Sequence, residues 1–223
     1  MNRSLEGQTY QVELKSKSVF ILIVKRLMDI LISIVGLVLV SPIMLLLAIL
    51  IKLEDRGPAF FIQMRTGRDD KVFSIYKFRS MRVNQKRAIK KQEPTWENGV
   101  PEDFMFKKTD EIDPNVTKIG AYIRKTSLDE LPQLFNVLIG NMSIVGPRPE
   151  IPSITCYYNR EQKQRLMVKP GITGWAQVNG RSDITNGEKM NFDYYYIKNQ
   201  SIRLDLAIIW KTIKVVLTSK GAV

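Results

Sequence analysis

Residues 30–51, ILISIVGLVLVSPIMLLLAILI, run for 22 positions without a charged side chain. At ~1.5 Å per residue a helix of that length matches a bilayer core of ~30 Å, so the segment predicts a membrane-associated helix. Two features oppose a plain span. Ser41-Pro42 falls near the middle, where proline removes an amide donor and kinks or breaks a helix. Both flanks are basic, with Lys25 and Arg26 before and Lys52 and Arg56 after. Positive residues favour the cytoplasmic side, so this arrangement suits a helix–break–helix that enters and leaves through one face. A spanning helix with a tolerated proline also fits. A cleaved signal peptide fits poorly, because the run starts late and lacks a small-residue cleavage site.

What such an anchor serves depends on the rest of the chain. Of 223 residues, 34 are Lys or Arg and 22 are Asp or Glu, a net charge of +12. That surplus points to an anionic partner: nucleic acid, lipid head groups or a phosphorylated substrate. There is no histidine. His-based triads, HExxH zinc sites and imidazole acid–base pairs are therefore excluded, and polar chemistry falls to carboxylates, lysines or tyrosines. The single Cys156 has no disulfide partner and reads as a small buried residue in a reducing compartment.

From about residue 59 the pattern is mixed. FFIQMRTGRDDKVFSIYKFRSM (60–81) alternates apolar and polar residues around a turn at Thr66–Asp69 and predicts a β-hairpin or two short strands, with Lys77 and Arg79 on one face. Residues 82–117 are polar and turn-rich, a long loop or excursion with some helix, and with Trp96 and Phe104 as local anchors. Ile119–Lys125 predicts a short helix or turn, and Leu131–Ile139 a largely buried helix.

Between those helices lies TSLDELPQLFNVL (126–138). Ser127 and Glu130 have the spacing of a capping box, in which both side chains serve a helix start. Pro132 disfavours a helix capped at Ser127, because it would fall where an amide is already needed. A start nearer Asp129 would instead place Asp129 and Glu130 at the positive end of the helix dipole. There the two carboxylates could cap, bind a metal or attack an electrophile. In SIVGPRPE (143–150) two prolines hold Arg148 in a pre-organised extended segment suited to a phosphate or carboxylate. KPGITGWAQVNGR (169–181) reads alone as a glycine-rich loop and matches neither a P-loop nor a dinucleotide fingerprint. RLDLAIIWKTIKVVL (203–217) predicts a core or membrane-surface helix with Trp210 and two lysines near head groups, and Asp205 at its start.

These segments in this order, beginning from KRLMDILIS (25–33), resemble the bacterial sugar transferases known as monotopic phosphoglycosyl transferases. The resemblance covers most of the chain. It implies an α+β, predominantly helical fold: an N-terminal re-entrant membrane helix, then a compact cytoplasmic catalytic domain with a small β element and interfacial helices. The chain then divides into a tail (1–18), the re-entrant helix (19–58) and the catalytic domain (59–223). The implied reaction moves a sugar 1-phosphate from a UDP-sugar to polyprenyl (undecaprenyl) phosphate at the cytoplasmic face of the inner membrane, releasing UMP and starting glycan assembly.

Residue by residue, Asp129 matches the family's nucleophile, which forms an aspartyl phosphosugar, and Glu130 its partner carboxylate, the two being associated with Mg²⁺. Ser41-Pro42 matches the break of the membrane helix. Lys77, Arg124, Arg148 and Asp205 match polar positions of the active site, and Gly171, Thr173, Gln177 and Arg181 belong to the loop that meets the nucleotide. Anionic lipid head groups are further partners, no nucleic acid is expected, and a homo-oligomer is left open. The 82–117 segment is longer than in the shortest members, and the extra N-terminal membrane domain of the large members is expected to be absent. The chemistry is self-consistent: an aspartate attacking a diphosphate needs a cation and arginines to offset like-charge repulsion. Two rivals stand beside it. A membrane-anchored basic lipid- or nucleic-acid-binding protein would need a basic stripe interleaved with aromatics, whereas here the basic residues are dispersed. The other is the same transfer by direct attack of the lipid phosphate.

Overall fold

The computed structural model describes residues 19–83, 95–105, 113–180 and 184–218. The apolar run lies within one helix, α1 (Val19–Glu54), ~54 Å long at ~1.5 Å per residue. The expected helix–break–helix is corrected here, because α1 continues through Pro42. The reason is local. Proline cannot donate to the carbonyl four residues back, that of Val38, and the Ser41 hydroxyl donates to it instead at 2.8 Å.

One stripe of α1 is buried and, at its N-terminal end, polar. Lys25, Asp29 and Ser33 recur every fourth residue and so share a face. Lys25 donates to Asp205 at 2.7 Å, and Asp29 accepts from the Ser143 hydroxyl and the Ile144 amide, each at 3.0 Å. Arg26 donates to the carbonyls of Val137 and Leu138, the ordinary place for a cation at a helix C-terminus. The basic flank before the run therefore engages protein rather than lipid head groups, and the positive-flank reading loses that support. Further along, Met44, Leu47 and Ile51 pack with Phe78 and Ile123, each buried apolar side chain contributing roughly 1.5–3 kcal/mol. At the far end the Glu54 carboxylate accepts from the amides of Lys118 and Ile119, and Arg79 donates to the carbonyls of Ile51 and Asp55. The outward stripe, including Leu27, Leu31, Val38, Leu39, Leu45 and Leu53, is exposed and apolar.

The predicted hairpin forms from β1 (Phe60–Thr66) and β2 (Val72–Phe78), antiparallel with Phe61 opposite Lys77. The predicted helices are α2 (Lys118–Lys125), capped by Thr117, and α3 (Gln133–Ile139). Gly140 ends α3 at φ 96°, a backbone setting that favours glycine. Trp96 and Phe104 do anchor the described part of the excursion, ring to ring at 4.9 Å and against Tyr157.

Beyond α3 come β3 (Ser143–Val145), α4 (Pro152–Thr155), β4 (Gly171–Thr173), α5 (Trp175–Asn179), α6 (Asn186–Asn199) and α7 (Ile202–Thr218). Parallel pairing of β3 with β4 and the helix α5 correct the reading of 169–181 as a loop. The main core gathers Phe73, Ile75, Val137, Met142, Val145, Tyr196, Ile197 and Ile208. Cys156 is exposed, contrary to expectation. On α7 the side chains of Leu206, Trp210, Ile213 and Val216 face outward, with Lys214 over the Trp210 ring.

Candidate active site

The chain leaves α2 through Ser127, which sits in the left-handed region at φ 58° and makes no capping hydrogen bond. The capping-box reading of Ser127 and Glu130 is therefore corrected. Among the described residues a complete capping box does occur, at Thr185 and Glu188 before α6. The unusual backbone at Ser127 turns the chain into a 3-10 turn, Leu128–Glu130, and Pro132 then caps α3 from outside its hydrogen-bond ladder. The acid pair is thus presented on a tight turn between two helices.

The two acids meet different surroundings. Glu130 Oε1 accepts from Lys77 Nζ at 2.9 Å and from Arg148 at 2.6 Å, with Arg148 also 3.4 Å from Oε2. Burial opposes the Glu130 charge, but Arg148 and Lys77 outweigh it and hold the carboxyl down to about 2. Asp129 has no side-chain hydrogen bond or ion pair among the described residues. Burial, then the neighbouring Glu130 charge, pushes its carboxyl up, against the pull of Lys77, Arg148 and Arg124. One acid is clamped between two cations, while the other is free and more basic than usual. Arg124 is itself oriented by Ser80, whose hydroxyl accepts from Nε at 2.8 Å.

Tertiary packing brings these groups together. Lys77 projects from β2, and β2 is held by Asn136 of α3, fully buried, whose amide accepts from Tyr76 N–H and donates to the Ser74 carbonyl. Residues 20–219 match the family model described as bacterial sugar transferase. The chain belongs to the bacterial sugar transferase family. Among curated relatives, the undecaprenyl-phosphate galactose phosphotransferase of Salmonella typhimurium is 44% identical over 89% of this chain. The UDP-glucose:undecaprenyl-phosphate glucose-1-phosphate transferase of Escherichia coli is 39% identical over 90%. The chain spans 41% of the length of each of these. The exopolysaccharide production protein ExoY of Sinorhizobium fredii is 38% identical over 89% of this chain and 87% of its own length.

Of the residues predicted for the site, Lys77, Arg124, Asp129, Glu130 and Arg148 come together. Asp205 does not join them: fully buried, it accepts from Lys25 and Tyr196 and fastens α7 to α1. Thr173 bonds the Thr212 hydroxyl at 2.7 Å and so faces α7. Gly171 is a glycine because a Cβ would collide with the Gly146 backbone, leaving it no room to approach a ligand. Gln177 has both amide atoms buried and without a hydrogen bond to the described residues. Arg181 lies outside the described residues. Sequence reading missed Ser80 and Asn136, whose partners lie 44 and about 60 positions away.

Proposed function

We propose that the chain transfers a sugar 1-phosphate from a UDP-sugar to a polyprenyl phosphate at the cytoplasmic face of the inner membrane, releasing UMP. The observation that carries this reading is the divided acid pair: a free, basic Asp129 beside a Glu130 clamped by Lys77 and Arg148. The names of the relatives, undecaprenyl-phosphate sugar phosphotransferases, support the substrate classes.

In this mechanism an Asp129 oxygen attacks the sugar-linked phosphorus. The bond to the bridging oxygen breaks, its electron pair leaves with UMP, and an aspartyl phosphosugar remains. A phosphate oxygen of the lipid then attacks the same phosphorus, breaks the aspartyl bond and restores the carboxylate. Lys77, Arg148 and Arg124 are placed to offset phosphate charge as it gathers. The donor set fits a magnesium ion, since both carboxylates are hard oxygen ligands and Glu130 Oε2 has, among the described residues, only the 3.4 Å contact. When bound, Mg²⁺ would be held by Asp129 and Glu130 and would neutralise diphosphate oxygens.

Two features support the placement at one membrane face. Polar groups near both ends of α1 are bonded into the same body, Lys25 and Arg26 at one end and Glu54 at the other. A perpendicular span would carry one set of these partners across the bilayer. The exposed apolar stripe of α1 continues the theme of the outward residues of α7, which suits a body seated on the lipid surface.

The test is purified protein with a UDP-sugar and Mg²⁺ but no lipid. A UMP burst no larger than the enzyme concentration, a mass gain of one sugar phosphate, and neither effect in Asp129→Asn are expected. Product that forms only once lipid is present, with no burst and no adduct, would establish direct attack instead.

A further inference from the structure

The Pro147–Glu150 stretch carries Arg148 yet has no secondary structure of its own. Its two prolines have no amide protons, so it cannot be held as a strand in a ladder. It is held by its carbonyls, four in succession. Pro147 accepts from the Gly171 amide at 2.9 Å, Arg148 from Arg165 at 2.9 Å, Pro149 from Arg65 at 3.1 Å and Glu150 from the Thr66 amide at 2.8 Å.

Arg165 is the member of this set that touches the backbone of Arg148 itself. Its side chain is 2% exposed, donates hydrogen bonds to the Arg148 carbonyl and to the Tyr158 hydroxyl at 2.7 Å, and ion-pairs with Asp193 at 2.7 Å and Glu150 at 3.6 Å. Lys189 joins the same cluster through Glu150 at 2.8 Å. A buried network of this kind is weak evidence of stabilisation, because apolar residues of similar volume often serve as well or better. Its geometry has a different consequence. A planar guanidinium with several fixed donors sets direction as well as charge, and here the direction it sets is that of the segment aiming Arg148 at Glu130.

We infer that Arg165 is a positioning residue for the transfer reaction, acting through the Arg148 carbonyl to aim the Arg148 guanidinium at the acid pair. Lysine at 165 keeps the charge but gathers its donors on one nitrogen, whereas the guanidinium serves Tyr158 from one nitrogen and the Arg148 carbonyl and Asp193 from another. This inference rests on the transferase reading above.

The experiment is a double-mutant cycle on the full chain with Arg165→Lys, Arg148→Lys and the double variant. UMP release is measured with undecaprenyl phosphate and UDP-galactose, UDP-glucose or UDP-N-acetylgalactosamine, and melting temperatures are taken alongside. Arg165→Lys should lower kcat by roughly 10- to 100-fold with little change in KM, the scale of a misplacement near 1 Å. In the Arg148→Lys background the same change should matter by no more than about twofold, since the group it aims is already lost. Should Arg165→Lys fail to fold, Tyr158→Phe, which removes one anchor and keeps the ring, takes its place in the cycle with a smaller expected loss of about two- to fivefold. Losses that multiply in full with Arg148→Lys, or that follow melting temperature alone, overturn the inference and leave Arg165 a structural residue. Absence of UMP release by the unaltered protein with every donor would instead sink the transferase reading itself.

Discussion

Replacing Lys25 by methionine isolates the contact that fastens the membrane helix to the C-terminal helix. Lys25 Nζ lies 2.7 Å from Asp205 Oδ2, with side-chain exposures of 11% and 0%. Without it, the Asp205 carboxylate keeps only the Tyr196 hydroxyl among the described residues, 2.8 Å from Oδ1. Removing one partner of a buried pair typically costs about 3–5 kcal/mol, because the other charge is left uncompensated. The carboxylate can escape by taking up a proton. An unfolded aspartate titrates near 3.9, so holding that proton at pH 7 costs roughly 4 kcal/mol, which is a ceiling on the charge part of the loss. At pH 5 the same ceiling is about 1.5 kcal/mol. Burial already pushes the Asp205 carboxyl up, and Lys25 is the chief influence opposing it.

The sign follows from these two facts. In Lys25→Met the folded carboxyl titrates well above the unfolded one. The deficit therefore grows as pH rises from 5 to 7 and shrinks on acidification. Urea unfolding in detergent micelles, followed by tryptophan fluorescence, should show a loss of about 3–4 kcal/mol at pH 7 and under about 2 at pH 5. Lys25→Met combined with Asp205→Leu should regain most of it, since the buried charge is gone. A loss below about 1 kcal/mol at pH 7, or one that ignores pH, would refute the reasoning. Loss of turnover at unchanged stability would return Asp205 to the substrate site.

Glu130→Gln should keep the fold and lose roughly 10²- to 10³-fold in kcat/KM, the scale of removing a preorganised charge from a site; normal turnover would remove Glu130 from the mechanism. Burial depresses the Lys189 ammonium to about 8 despite Glu150. From pH 8 toward 10.5 the unfolded chain binds the extra proton, so this group adds stability as pH rises and none well below 8. Lys189→Met should accordingly lose about 1–2 kcal/mol of the upward trend between pH 8 and 9.5, and parallel urea midpoints would disprove it. For topology, Phe20→Cys and Arg56→Cys, each in a Cys156→Ser background because Cys156 is exposed, should both be shielded from an impermeant thiol reagent in intact cells. Labelling of one end only would establish a span.

Local order was legible without coordinates. The uncharged run became α1, the alternation around Thr66–Asp69 became the β1–β2 hairpin, and helical spacing located α2, α3 and α7. Periodicity reports which residues of one element share a face, and that information lies within a few neighbouring positions. Ser41-Pro42 shows its limit. A proline announces a lost donor, but whether the helix ends depends on whether another group reaches the Val38 carbonyl, and Ser41 does. Asp129 and Glu130 could be singled out as a pair, yet nothing in TSLDELP says which of the two is free.

That division was decided by partners 53 and 18 positions from Glu130, Lys77 and Arg148, delivered by β2 and by a proline-bound segment. Lys25 and Asp205, 180 positions apart, illustrate the same point. In sequence one reads as a basic flank and the other as a polar site residue, and in the fold they neutralise each other in the interior. A charge has the same identity in a sequence whether it faces lipid, substrate or a counterion. Electrostatic energy depends on distance and on the surrounding dielectric, and both come into being only when distant elements pack.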